Sequence, residues 1–106
     1  MPYLIYTLLY PTDKASEVAK RYIEALGKYP PDENLAMEVA HAIKGTSEGL
    51  QTIGVYDVKK GKLEEAYNRL ANIMVMFYSI QGFKYQIDIY LKVEEATGFI
   101  GRSLPG

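Results

Sequence analysis

The 106-residue chain contains no cysteine and no tryptophan, a single histidine, and only three asparagines and three glutamines. Without cysteine there is no disulfide framework, thiolate nucleophile or cysteine zinc site, and the redox compartment cannot be read from cysteine usage. One histidine cannot make a His-x-x-x-His metal motif. It would also have to serve Ser16, Ser47, Ser79 and Ser103, none of which lies in a nucleophile-elbow context, which argues against a hydrolase triad. Phosphate loops are missing: Gly61-Lys62 in DVKKGKLEEA has neither the preceding glycine spacing nor a following Ser or Thr. No stretch approaches the roughly 18 apolar residues of a membrane helix, and no basic segment followed by an apolar run opens the chain. A soluble, cytoplasmic protein is therefore expected, with neither membrane nor metal nor other cofactor. The scarcity of Cys, Asn and Gln fits a thermophilic source.

A dominant charge sign is also lacking. Twelve basic residues face 13 acidic ones for a net charge of -1, and the basic residues are scattered rather than gathered into a stripe, which argues against nucleic acid as a partner. The first strand loosely resembles the aromatic strand of an RNA-binding sheet, but LQTIGVYDV lacks the basic-glycine-aromatic signature of such sheets.

What is plentiful is apolar and aromatic surface, including ten tyrosines. Tyr3 to Tyr10, YLIYTLLY, has Thr7 as its one side chain that is neither aliphatic nor aromatic. A half-buried strand alternates apolar with polar, so this strand needs cover on both faces. Pro11-Thr12-Asp13 predicts a turn with Thr12 or Asp13 capping a helix. Ala15, Val18, Ala19, Tyr22 and Leu26 supply that helix with its packed stripe, and Gly27 and Pro30-Pro31 end it. Asp32 to Leu35 is a connector.

Met37 to Lys44 reads as a strand with Met37, Val39, His41 and Ile43 on one face and Glu38, Ala40, Ala42 and Lys44 on the other. Gly45 to Gly49 is a turn, and Leu50 to Val58 returns as a hairpin partner. Leu63, Ala66, Tyr67, Leu70, Ile73, Met74, Phe77 and Ile80 predict a second helix ending before Gly82, in which the consecutive Met74 to Tyr78 cannot all face one core. Glu64 and Glu65 suit its first turn. Phe83 to Val93 alternates as a last strand. Glu94 to Gly106 is a tail that starts helically and docks weakly through Phe99, Ile100 and Leu104.

Strand, helix, strand, strand, helix, strand is the split βαβ order of one ferredoxin-like α+β domain: a four-stranded antiparallel sheet with two helices on one face. The other face is left with apolar residues of the first strand. Even about 600 Å² of such surface represents about 15 kcal/mol of gross driving force, against association costs of about 4 to 15 kcal/mol. A homodimer, or a higher homo-oligomer, closing sheet on sheet is expected. The competing arrangement has the chain's own tail roof that face.

The element order over Tyr3 to Val93, the doubly apolar first strand and the run KYPPDE from Lys28 to Glu33 followed by a strand resemble the dimeric α+β barrel superfamily, in particular small uncharacterised members of archaeal type. The resemblance implies a pocket between sheet and helices, or in the lumen between paired sheets. It spans cofactor-free monooxygenases, lactone isomerases, haem proteins and regulatory ligand-binding domains, and implies no particular chemistry. Haem-degrading relatives pair a histidine with Trp and Asn, and the missing tryptophan disfavours that branch.

Two residues stand out as catalytic candidates. His41 is the only titratable imidazole, though a histidine among apolar neighbours suits a hydrogen-bonded core position equally. Asp88 sits mid-strand, where aspartate is depleted and costly to bury unpaired; it would act as a base positioned by Tyr90 or Tyr56, or else face solvent or an ion pair. Asp57 reads as a turn residue. Tyr6, Tyr56, Gln86 and Tyr90 are the candidate ligand-binding residues, within a wider set of strand tyrosines (Tyr3, Tyr10, Tyr85) that suit an aromatic pocket or an interface. The leading expectation is a homo-oligomeric barrel protein binding a small apolar or aromatic molecule. The alternatives are a cofactor-free monooxygenase or isomerase moving a proton through Asp88 or His41, and a structural assembly with no ligand.

Overall fold

The computed structural model describes residues 1–99. Strand β1 (Tyr3–Tyr10), a 3₁₀ turn (Thr12–Lys14), helix α1 (Ala15–Lys28), strands β2 (Ala36–Thr46) and β3 (Gly49–Val58), helix α2 (Leu63–Val75), strand β4 (Lys84–Tyr90) and helix α3 (Val93–Phe99) follow in chain order. The strands form one open antiparallel sheet in the order β2-β3-β1-β4. This α+β arrangement is compatible with a ferredoxin-like fold. None of the described helices is long and apolar enough to cross a membrane.

Because β1 is central, its even residues Leu4, Tyr6, Leu8 and Tyr10 are buried under the helices, and its odd residues are half-buried on the opposite face. Cross-strand pairing carries the division outward. Ile5 sits beside Val55 and Asp88, and Thr7 beside Ile53 and Gln86. Ile5, Leu9, Ile53 and Val55 thus form an apolar centre on the second face, where Ile53 is 40% exposed. The core on the first face gathers the even β1 residues, Val58, Val18 of α1, and Ala66, Leu70, Met74, Phe77 and Ile80 from α2 and the turns after it.

Several boundaries differ from the sequence reading, each for a local reason. Neither Thr12 nor Asp13 caps α1 with its side chain; the 3₁₀ turn, closed by the Lys14 amide donating to the Pro11 carbonyl (3.0 Å), leaves both too far upstream of the helix. Gly27 lies inside α1, which ends one residue later. Tyr29, which leaves the helical region before Pro30, donates its amide to the Ala25 carbonyl (2.7 Å). The α-helical part of α2 stops at Val75, and the chain continues in tighter turns whose amides reach three residues back, as from Phe77 to Met74 and Ile80 to Phe77. A three-residue period lines up Met74, Phe77 and Ile80, all buried, and sends Val75 and Tyr78 outward. That resolves the run of consecutive apolar residues.

β4 ends at Tyr90 rather than continuing to Val93. The Glu95 carboxylate accepts from the Lys92 amide (3.0 Å), as in half of a capping box, so Val93 starts α3. The Met1 ammonium reaches the other Glu95 oxygen at 2.6 Å. The part of the tail expected to dock through Ile100 and Leu104 lies outside the described residues. In β2 a bulge between Glu38 and Ala40 inserts Val39. It puts Glu38 on the helix-facing side with His41 and Ile43, and leaves Met37, Ala40, Ala42 and Lys44 on the other, so the expected facing of Glu38 and Met37 is reversed.

Candidate functional site: a cavity between sheet and helices

The stripe Ala15, Val18, Ala19, Tyr22 and Leu26 does face the sheet, yet of these only Val18 is buried. Tyr22 and Leu26 keep 39% and 40% of their surface, because α1 stands away from β2 and β3. The space left is a cavity of about 540 Å³, walled by the sheet, α1 and α2, within the usual size range of small-molecule sites. Leu8, Val18, Leu70, Ile73 and Phe77 contribute to its apolar wall, and Tyr6, Tyr22, Tyr56, Glu38, His41 and Arg69 supply polar groups.

Backbone features bring these groups together. Tyr6 pairs with Gly54 across the β1–β3 ladder. A Cβ at Gly54 would run into the Tyr6 ring, so the missing side chain lets that ring pass close over β3. The Tyr6 ring centroid is 6.0 Å from that of Tyr56 and 6.2 Å from that of His41, edge-on to the imidazole; His41 is in turn 5.8 Å from Tyr22. The bulge in β2 delivers Glu38 to the same place, with its Oε1 3.6 Å from His41 Nδ1. Arg69 of α2 reaches across to the connector after α1, donating from Nη2 to the Tyr29 carbonyl (2.7 Å) and to that of Pro30.

The tyrosines of this cluster are held in their neutral form. Burial raises the Tyr6 hydroxyl far above the usual phenol range, and the neighbouring Tyr56 and the Glu38 carboxylate raise it further. Burial and then Glu38 raise Tyr56, with Arg69 acting in the opposite sense. Tyr22 is raised by burial and by Glu38. Neutral phenols on an apolar wall can donate or accept a hydrogen bond and present electron-rich ring faces.

The six predicted site residues divide evenly between the two faces of the sheet. His41, Tyr6 and Tyr56 meet at the cavity. Asp88, Gln86 and Tyr90 lie on the opposite face, whose register partners are Ile5, Thr7 and Tyr3. Asp88 and Tyr56 are therefore separated by the sheet, and Tyr56 does not position Asp88. The Asp88 carboxylate instead accepts two hydrogen bonds from Gln86 Nε2, at 3.0 and 3.1 Å. Of the wider tyrosine set, Tyr10 lines the cavity, whereas Tyr85 shares a 2.8 Å hydroxyl hydrogen bond with Tyr78. Asp57 is a strand residue rather than a turn residue, paired with Lys92 Nζ at 2.9 Å.

Glu38, Tyr22 and Arg69 were not among the predicted site residues. Simple alternation placed Glu38 on the wrong side of β2, Tyr22 read as an ordinary core position, and Arg69 lay off the apolar stripe of α2. No protein-family model and no curated protein matches the chain.

Proposed function

We propose that this protein binds a small, largely apolar or aromatic molecule in the cavity between its sheet and helices, as one subunit of a homodimeric α+β barrel. The observation that carries the binding reading is the cavity of about 540 Å³, in which an apolar wall meets a few convergent polar groups. Dimerisation through the second face of the sheet is supported by the apolar centre of Ile5, Leu9, Ile53 and Val55, none of which is buried in the single chain. The polar margin of Gln86, Asp88 and Lys84 would form its rim. A second reading, proton transfer in a cofactor-free isomerase or monooxygenase, is favoured at His41 by the Glu38 carboxylate 3.6 Å away and has no comparable support at Asp88.

Calorimetric titration with 4-ethylphenol tests the binding reading. The native chain should bind it in the range of micromolar to millimolar. Ala19→Trp, which projects an indole from α1 into the cavity, should weaken binding at least about tenfold while leaving the far-ultraviolet circular dichroism unchanged. Equal affinity in both proteins would refute the cavity as the site.

A further inference from the structure

We propose that the cavity recognises an organic cation, a quaternary ammonium group on an apolar or aromatic body, seated against the faces of Tyr6, Tyr22 and Tyr56 with Glu38 as its counter-charge. The proposal deepens the reading of the cavity as a binding site and depends on it.

Three observations converge on a cation. First, Tyr56, Tyr6, His41 and Tyr22 form, in that order, a chain of rings with neighbouring centroids 5.8 to 6.2 Å apart. A cation within about 6 Å of such a ring centroid is attracted by the ring's negative face. Second, the carboxylate delivered by the β2 bulge stands among those rings, and its charge raises all three tyrosine hydroxyls. Third, the fixed charges on the lining sum to negative, with three carboxylates against the one guanidinium of Arg69. Asp32 and Glu33 are also negative, and the Arg69 guanidinium donates to the Tyr29 and Pro30 carbonyls.

The same features discriminate between ligand charges. An anionic ligand would meet three carboxylates on the lining. A primary ammonium would have to give up strong hydration against walls that offer mostly ring faces and methyl groups, whereas a quaternary ammonium carries no N–H to satisfy. A neutral ligand would fill the apolar wall but bring no positive charge to Glu38. The body of the ligand would extend toward Leu70, Ile73 and Phe77.

The test is calorimetric titration of the full chain with (4-hydroxybenzyl)trimethylammonium, its neutral isostere 4-neopentylphenol, and the anion 4-hydroxyphenylacetate. The cation should bind at least about tenfold more tightly than the isostere and more tightly still than the anion. Glu38→Gln should weaken cation binding about tenfold or more and leave isostere binding within about twofold. Tyr22→Leu should weaken the cation more than the isostere. Equal affinity for cation and isostere, preference for the anion, or indifference of cation binding to Glu38→Gln would overturn the charge preference and leave the cavity reading standing. Failure of all three compounds to bind the folded native chain at millimolar concentration would overturn both.

Discussion

At the scale of single residues, the site depends on what Gly54 does not have. With the Tyr6 ring lying over its backbone, a methyl group there must displace the ring or bend β3. Gly54→Ala should destabilise the chain by about 1 to 3 kcal/mol in urea denaturation, the cost of an overpacked position, and should weaken ligand binding by moving Tyr6. An unchanged midpoint would mean that the ring does not rest there. The buried phenols carry a second expectation, with a definite sign. Tyr6 and Tyr56 ionise far more reluctantly in the fold than in the unfolded chain, so the unfolded state loses those protons first. Their contribution is intact below the ordinary tyrosine value of about 10 and is lost progressively as pH rises above it. Absorbance at 295 nm should therefore show these two tyrosines ionising only with alkaline unfolding, and Tyr6→Phe with Tyr56→Phe should shift that unfolding to higher pH. Early titration of both phenols in the folded protein would contradict their burial. His41, Tyr6 and Tyr56 were legible as candidates from chemistry alone, and the fold brings all three to the cavity. Glu38 was not, because a one-residue bulge reverses facing and leaves no mark in an apolar, low-charge strand.

At the scale of elements, periodicity placed every strand and both long helices, and failed where the chain changes period. The Phe77 and Ile80 stripe was visible as helix, but the shift to three-residue turns after Val75 follows from tertiary packing that gathers Met74, Phe77 and Ile80. A paired substitution measures that shift. Phe77→Ala should cost about 3 to 5 kcal/mol, as for a large buried ring, while Tyr78→Ala, one residue on and outward-facing, should cost less than about 1 kcal/mol. Similar losses at both positions would mean that the turn region does not hold the orientation described. The end of β4 was likewise hidden: alternation continues through Val93, but the capping contact between Glu95 and the Lys92 amide is a local bond that hydrophobic pattern does not register. The gap between α1 and the sheet was also invisible, since an apolar stripe looks the same whether it meets a core or lines a cavity.

At the scale of the whole molecule, the two faces of one sheet are assigned different tasks. One face of β1 is apolar because it meets the core and the cavity; the other is apolar, on the proposal made above, because it meets a second copy. The composition of YLIYTLLY alone makes it legible that both faces of β1 are apolar. What the sequence could not resolve was which face each candidate residue occupies, and Asp88, Gln86 and Tyr90 were consequently grouped with residues on the far side of the sheet. Isoleucine-methyl NMR, with a 4-ethylphenol titration and a protein-dilution series on the same labelled sample, tests the division directly. The account predicts that the phenol shifts Ile43 and Ile73 at the cavity and leaves Ile5 and Ile53 in place, and that dilution shifts Ile5 and Ile53 alone. Phenol-dependent shifts at Ile5 and Ile53, with Ile43 and Ile73 unmoved, would contradict it.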